Sequence, residues 1–200
     1  VEAGAYLLVT FDGRTMEELE EIMEQAAEIA LENGAIDVIV ADTPPKIKDV
    51  WAARSSFLEA IKAETNWKDG LELLDECDVV VPLDQIAPYV EYVYAVGEKM
   101  GLQVESFGHA GDGNLHIYVI GDDQISVEDF KAKADAFFDD IYPEATRVGG
   151  LVSGEHAIGS GKLKYLEQAE GERNMELMLG IKKVFDPKMI LNPGKVCYKL

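Results

Sequence analysis

The chain has 200 residues, of which 48% are hydrophobic and 28% charged, enough for a domain with a real core and unlike a disordered or collagen-like chain. With 38 acids against 18 bases the formal charge is −20, a surface that repels phosphate backbones and argues against nucleic acid as a partner. The acid is uneven: residues 1–100 carry net −15 and residues 101–200 net −5, so an anion site belongs in the second half.

Taken in chain order, Tyr6 to Phe11 predicts a strand closed by Asp12-Gly13. Thr15 with Glu18 forms a capping box, and Leu19, Ile22, Met23, Ala26 and Ile29 follow at helical spacing until Gly34. Ile36 to Val40 predicts a second strand. Pro44-Pro45 breaks the chain before one helix from about Ile47 to Ala63. The segment Thr65 to Leu74 is expected to be a mobile loop. Asp78 to Val81 predicts a third strand, and Gln85 to Met100 a helix stopped by Gly101. Leu102 to Phe107 and Leu115 to Ile120 predict two strands joined through Gly-Asp-Gly. Ser126 with Asp129 opens a helix that Pro143 is expected to kink or end. Glycine-rich residues 149–161 predict irregular backbone, and two helices close the chain before Asn192-Pro193-Gly194-Lys195. Hairpin-linked strands mixed with helices predict an α+β fold with a mainly antiparallel sheet under packed helices.

Two cysteines, Cys77 and Cys197, without Cys-x-x-Cys spacing fit a reducing cytosol and argue against a thiolate metal knuckle. No apolar run approaches the roughly 18–20 residues that span a bilayer. Val1 in place of Met suggests a fragment of a longer protein. No dinucleotide fingerprint, phosphate-binding loop or nucleophile elbow is present.

The three histidines, His109, His116 and His156, fall within 48 positions of the less acidic half. His109 and His116 flank the turn in Gly108-His109-Ala110-Gly111-Asp112-Gly113-Asn114-Leu115-His116, so a hairpin brings both imidazoles to one end of the sheet. Alternation then sets His116 and Tyr118 on one face and Leu115, Ile117 and Val119 on the other. Imidazole suits divalent first-row metals, but two histidines need a third ligand; the competing reading is a hydrogen-bonded polar pair. Glu155-His156 can face one site only on irregular backbone, which five glycines in residues 149–161 permit; the competing reading is a solvated loop. Arg54 falls within an apolar stripe of Ile47, Val50, Trp51, Leu58 and Ile61, where a guanidinium needs an anionic partner, either a substrate carboxylate or a protein one.

The runs Phe107 to His116 and Ser153-Gly154-Glu155-His156-Ala157-Ile158-Gly159 resemble the C-terminal domain of FAD-linked 2-hydroxy-acid oxidoreductases of the vanillyl-alcohol oxidase superfamily. That family includes D-lactate dehydrogenases, the glycolate oxidase flavin subunit and D-2-hydroxyglutarate dehydrogenase. The likeness extends through Trp51-Ala52-Ala53-Arg54 and the Asn-Pro-Gly-Lys tail. It implies that residues 1–200 form a single cap and substrate domain. The FAD-binding domain that holds most of the FAD is then absent from this chain. It implies a divalent metal (zinc, iron or manganese) on His109, His116 and Glu155, His156 as catalytic base, and Arg54 on the substrate carboxylate. Gly113, Asn114 and Asn192 would then lie near the flavin.

The implied reaction is oxidation of a small D-2-hydroxy acid, D-lactate or glycolate, to the 2-oxo acid. The hydroxyglutarate branch has lysine where Glu76 stands and asparagine where Tyr118 stands, which disfavours a second carboxylate. The implied partners are the FAD domain of the same protein and an electron-transfer flavoprotein, iron–sulfur subunit or quinone. The expected location is cytoplasmic, peripheral to a membrane only through a partner subunit. A free-standing metal-dependent hydrolase and a non-catalytic ligand-binding module are the competing classes.

Overall fold

The computed structural model describes residues 3–65, 67–68 and 71–198. The chain divides into two compact units, residues 1–57 and 58–200, and each is considered by itself.

In the first unit, α1 spans Met16–Glu32 and α2 spans Pro44–Ser55. The capping box is formed: Thr15 Oγ1 accepts from Glu18 N at 3.2 Å, and Glu18 Oε2 accepts from Arg14 N at 2.9 Å. Pro44 and Pro45 sit in the first turn of α2 rather than before it, where their missing N–H groups cost no intrahelical bond. The two strands expected at 6–11 and 36–40 are not formed; both stretches lack a ladder among the described residues, and Tyr6, Leu7, Ile36 and Ile39 are exposed. Their β-branched and aromatic content suits a pleated surface, but a strand exists only where a neighbour takes up its backbone hydrogen bonds. The single helix expected over 47–63 is broken at Ser56, and α3 runs Phe57–Glu64. The apolar stripe around Arg54 is therefore divided: no residue of α2 is buried, whereas Leu58 and Ile61 belong to the second unit.

The second unit holds a short antiparallel pair, β1 (Trp67–Lys68) and β2 (Leu71–Glu72), inside the segment expected to be a loop; residues 66, 69 and 70 of that segment lie outside the described residues. Then come β3 (Leu74–Val80), α4 (Ile86–Met100), β4 (Gln103–His109), β5 (Asn114–Ile120), α5 (Val127–Arg147) and α6 (Leu163–Phe185). β5 lies between β3 and β4, antiparallel to both, so the fold is the expected α+β type. Alternation divides the sheet as predicted. Cys77, Val79, Leu115, Ile117, Val119 and Val104 face a core closed by Tyr89, Val93, Phe130, Phe137 and Ile141 of α4 and α5. Glu76, Asp78, His116 and Tyr118 take the opposite face.

Ser126 caps α5 through Asp129 N at 3.0 Å. The helix passes through Pro143 to Arg147 instead of ending, because Tyr142 and Ala145 on either side of it are buried in the core. Gly171, with φ 75°, divides α6 at a kink into the two closing helices expected. Among the described residues no helix is long and apolar enough to cross a membrane.

Candidate metal and proton-transfer site

The site grows from the polar face of the sheet. In register, Asp78 stands opposite His116 on β5, and His116 opposite Phe107 on β4; one step along, Glu76 stands opposite Tyr118. Phe107 stacks on Tyr118 at 5.5 Å between ring centroids, an apolar floor beside the imidazoles. The β4–β5 turn brings His109 back beside His116, the two rings edge to face at 5.8 Å. Gly113 closes that turn with φ 81°, and its carbonyl accepts from Val81 N at 3.0 Å. A Cβ there would run into the Val81 carbonyl, so the residue is needed for this close approach as well as for its backbone angle.

The last component arrives from the irregular segment. Leu151 pairs with Val80 on the free edge of β3, its N–H donating at 2.8 Å. The chain then folds over Asp78, whose carboxylate is buried at 1% side-chain exposure. Asp78 Oδ2 accepts from Ser153 Oγ at 2.9 Å, Gly154 N at 3.1 Å, Glu155 N at 3.2 Å, His156 N at 2.9 Å and Lys162 Nζ at 3.0 Å. Burial pushes this carboxyl up, but the His156 N–H and the Lys162 ammonium outweigh it and hold the group down at about 2. Gly154 packs directly on the Asn114 amide, where a Cβ has no room. Ala157 follows in the left-handed region at φ 61°, an uncommon backbone for a residue with a Cβ. This irregular path lets the adjacent side chains of Glu155 and His156 serve one site.

The side chains converge. Glu155 Oε1 lies 3.1 Å from His116 Nε2, 3.8 Å from His109 Nε2 and 3.7 Å from His156 Nε2. Ligand atoms about 2.1 Å from a tetrahedral ion stand about 3.4 Å apart, so His109, His116 and Glu155 fit a divalent cation. Glu76 Oε1 lies 2.8 Å from His156 Nδ1 and 3.7 Å from His116 Nδ1, and the His116 and His156 rings stack at 4.7 Å. His116, only 4% exposed at its side chain, is held below its ordinary pKa by burial and by the neighbouring His156 imidazole, which favours the neutral ring with one nitrogen lone pair available. Burial, then the Glu76 carboxylate, push the Tyr118 phenol up. His116 Nδ1, Glu76 Oε1 and Asn114 Oδ1 are buried without a hydrogen-bond partner. With Asp78 balanced by Lys162, two carboxylates and three imidazoles remain, a donor set suited to a divalent ion.

The structure thus brings together five of the residues singled out in the sequence: His109, His116, Glu155, His156 and Asn114, with Gly113 adjoining them. Arg54 is half-buried in the first unit, and Asn192 stands exposed in the tail with φ 44°. Sequence reasoning missed Asp78, Ser153 and Lys162, and read Glu76 only as a point of divergence. The available signal was Asp78 itself, an acid inside the run Asp78-Val79-Val80-Val81.

The chain matches the family of the FAD linked oxidases, C-terminal domain, over residues 1–196, and it belongs to that family. It is 55% identical over 199 residues, its whole length, to a D-lactate dehydrogenase of Anaerostipes hadrus. It is 38% identical, again over 199 residues, to a D-lactate dehydrogenase of Archaeoglobus fulgidus. It is 34% identical over 98% of its length to the glycolate oxidase subunit GlcD of Bacillus subtilis. In each case the chain spans 40% of the relative's length.

Proposed function

We propose that this chain is the substrate and cap domain of a flavoprotein that oxidises a small D-2-hydroxy acid, D-lactate in the first instance, to the 2-oxo acid. The observation that carries the reading is the convergence of His109, His116 and Glu155 on one point with His156 beside it. The similarity to two D-lactate dehydrogenases supports D-lactate, and the carboxylate of Glu76, opposite Tyr118, disfavours a substrate with a second carboxylate. FAD is the cofactor implied by the family, held mainly by residues outside this chain.

When bound, a divalent ion would supply Lewis-acid polarisation of the α-hydroxyl, and FAD would supply the hydride acceptor. His109 and His116, on neighbouring strands, and Glu155, on the loop clamped by Asp78, would hold the ion. His156 takes the hydroxyl proton at Nε2, the ring nitrogen on the Glu155 side. Proton to His156 and hydride to flavin together account for the two hydrogens lost by the substrate. His109, Glu155 and His156 each remain about half exposed, so the acid can enter from solvent while His116 stays buried. Arg54, on the strength of the Trp51-Ala52-Ala53-Arg54 resemblance, binds the substrate carboxylate.

The test is anaerobic flavin absorbance of the full-length protein, titrated with D-lactate, glycolate and D-2-hydroxyglutarate. Bleaching by D-lactate that chelation abolishes is the expected result. Flavin unmoved by all three acids overturns the reading.

A further inference from the structure

We propose that Glu76 is a positioning residue for His156: it holds the imidazole with its proton on Nδ1, so that Nε2 presents a lone pair to the substrate hydroxyl. The inference rests on the reading of His156 as the proton acceptor.

The two carboxylates of the site address opposite nitrogens of the His156 ring. Glu76 Oε1 stands 2.8 Å from Nδ1, whereas Glu155 Oε1 stands 3.7 Å from Nε2 and only 3.1 Å from His116 Nε2. A neutral imidazole carries one N–H, and the nitrogen that meets an acceptor at hydrogen-bond distance is the one that keeps it. The Glu76 contact has hydrogen-bond length without hydrogen-bond alignment, since Oε1 completes no bond of good geometry. Catalytic contacts in an unliganded site are often poorly aligned and tighten when substrate is in place.

The scaffold around this pair is fixed on three sides. Glu76 lies on β3, hydrogen-bonded along its length to β5. Asp78, two residues on along the same face, accepts the backbone N–H of His156. One strand therefore carries both the acceptor for the main-chain N–H and the carboxylate beside the ring of the same histidine. The stacked His116 ring, tilted by 20° from His156, limits rotation on the remaining side. When Nε2 takes the hydroxyl proton the ring becomes an imidazolium, and the Glu76 carboxylate then faces its Nδ1–H; the proton stays on nitrogen and the carboxylate stays ionised. The competing assignment makes Glu76 a metal ligand with His116 and His156, whose donor atoms also converge.

The test uses the full-length flavoprotein with D-lactate as substrate. The limiting rate of flavin reduction, the D-lactate concentration for half-saturation and the metal content per chain are measured for Glu76→Ala, Glu76→Gln, His156→Ala and the Glu76→Ala/His156→Ala double variant. Glu76→Ala is expected to slow reduction by on the order of 10–100-fold, the usual loss on removing a partner that orients an imidazole. Half-saturation and metal content stay unchanged. Glu76→Gln preserves the size of the side chain and keeps the test open if alanine unfolds the protein. Its amide can donate to Nδ1 and reverse the tautomer, so it is slow as well. The double variant is no slower than His156→Ala alone, because Glu76 acts through that ring; a merely structural glutamate gives losses that multiply. Loss of metal with Glu76→Gln makes Glu76 a ligand and overturns the proposal, as does reduction at the wild-type rate. If His156→Ala is slow and the Glu76 variants are fast, only the role of Glu76 falls. If His156→Ala itself reduces at the wild-type rate, the proton-acceptor reading falls and takes the role of Glu76 with it.

Discussion

Asp78 accepts the backbone N–H of His156 at 2.9 Å across 78 positions of sequence. This contact turns a glycine-rich segment into a defined site. The same carboxylate takes the next two N–H groups upstream and the Lys162 ammonium, so one buried acid organises both the path of the loop and the local charge. Charge-assisted bonds from backbone amides to a carboxylate are the strong kind, and several on one group make it a clamp.

Removing that clamp tests its weight. Asp78→Ala leaves Lys162 largely buried without its carboxylate and strips the acceptor from the N–H groups of Gly154, Glu155 and His156. The expected cost is about 3–5 kcal/mol of folding stability, the usual penalty for leaving one partner of a buried pair uncompensated. Urea unfolding monitored by circular dichroism checks this. Metal content should fall in the same variant, since Glu155 is no longer held over His116.

Alkaline pH probes the other face of the sheet. Cys77 lies in the core, and burial pushes its thiol from 9.0 up to about 12, against a smaller opposing effect from Tyr142. The folded state therefore favours the protonated thiol. This stabilisation is complete below about pH 9 and is lost as the pH rises toward about 12, in all about 4 kcal/mol. Urea midpoints of wild type and Cys77→Ala, compared at pH 7 and pH 10.5, should show wild type losing about 2 kcal/mol more than the variant.

Much of this site could be read from the chain. Strict alternation in Leu115-His116-Ile117-Tyr118-Val119 gave the two faces of β5, because a half-buried strand repeats every two residues. The turn glycines gave the hairpin, and the glycines of 149–161 gave the irregular path that Glu155-His156 requires. The first half of β3 was illegible: Asp75 and Glu76 are residues depleted in strands, and Glu76 is tolerated because it faces the site.

Elsewhere local propensity is weak against packing. Tyr6 to Phe11 and Ile36 to Val40 have strand composition but no ladder among the described residues. Pro143 is carried inside α5 by the buried side chains around it. The stripe that singled out Arg54 assumed one helix through Ser56, where the structure has two. Lys162 gave no sequence signal, since nothing local marks a lysine that pairs with an acid 84 positions away.

The metal-binding role of His109, His116 and Glu155 is tested by the metal content of the full-length protein, measured by elemental analysis beside His116→Ala and Glu155→Gln. His116 and Glu155, 3.1 Å apart, stand at the centre of the donor set. About one divalent ion per chain is expected in the wild type and little or none in either variant, with folding retained by circular dichroism. A wild-type protein without metal, or variants that keep a full complement, would contradict that role.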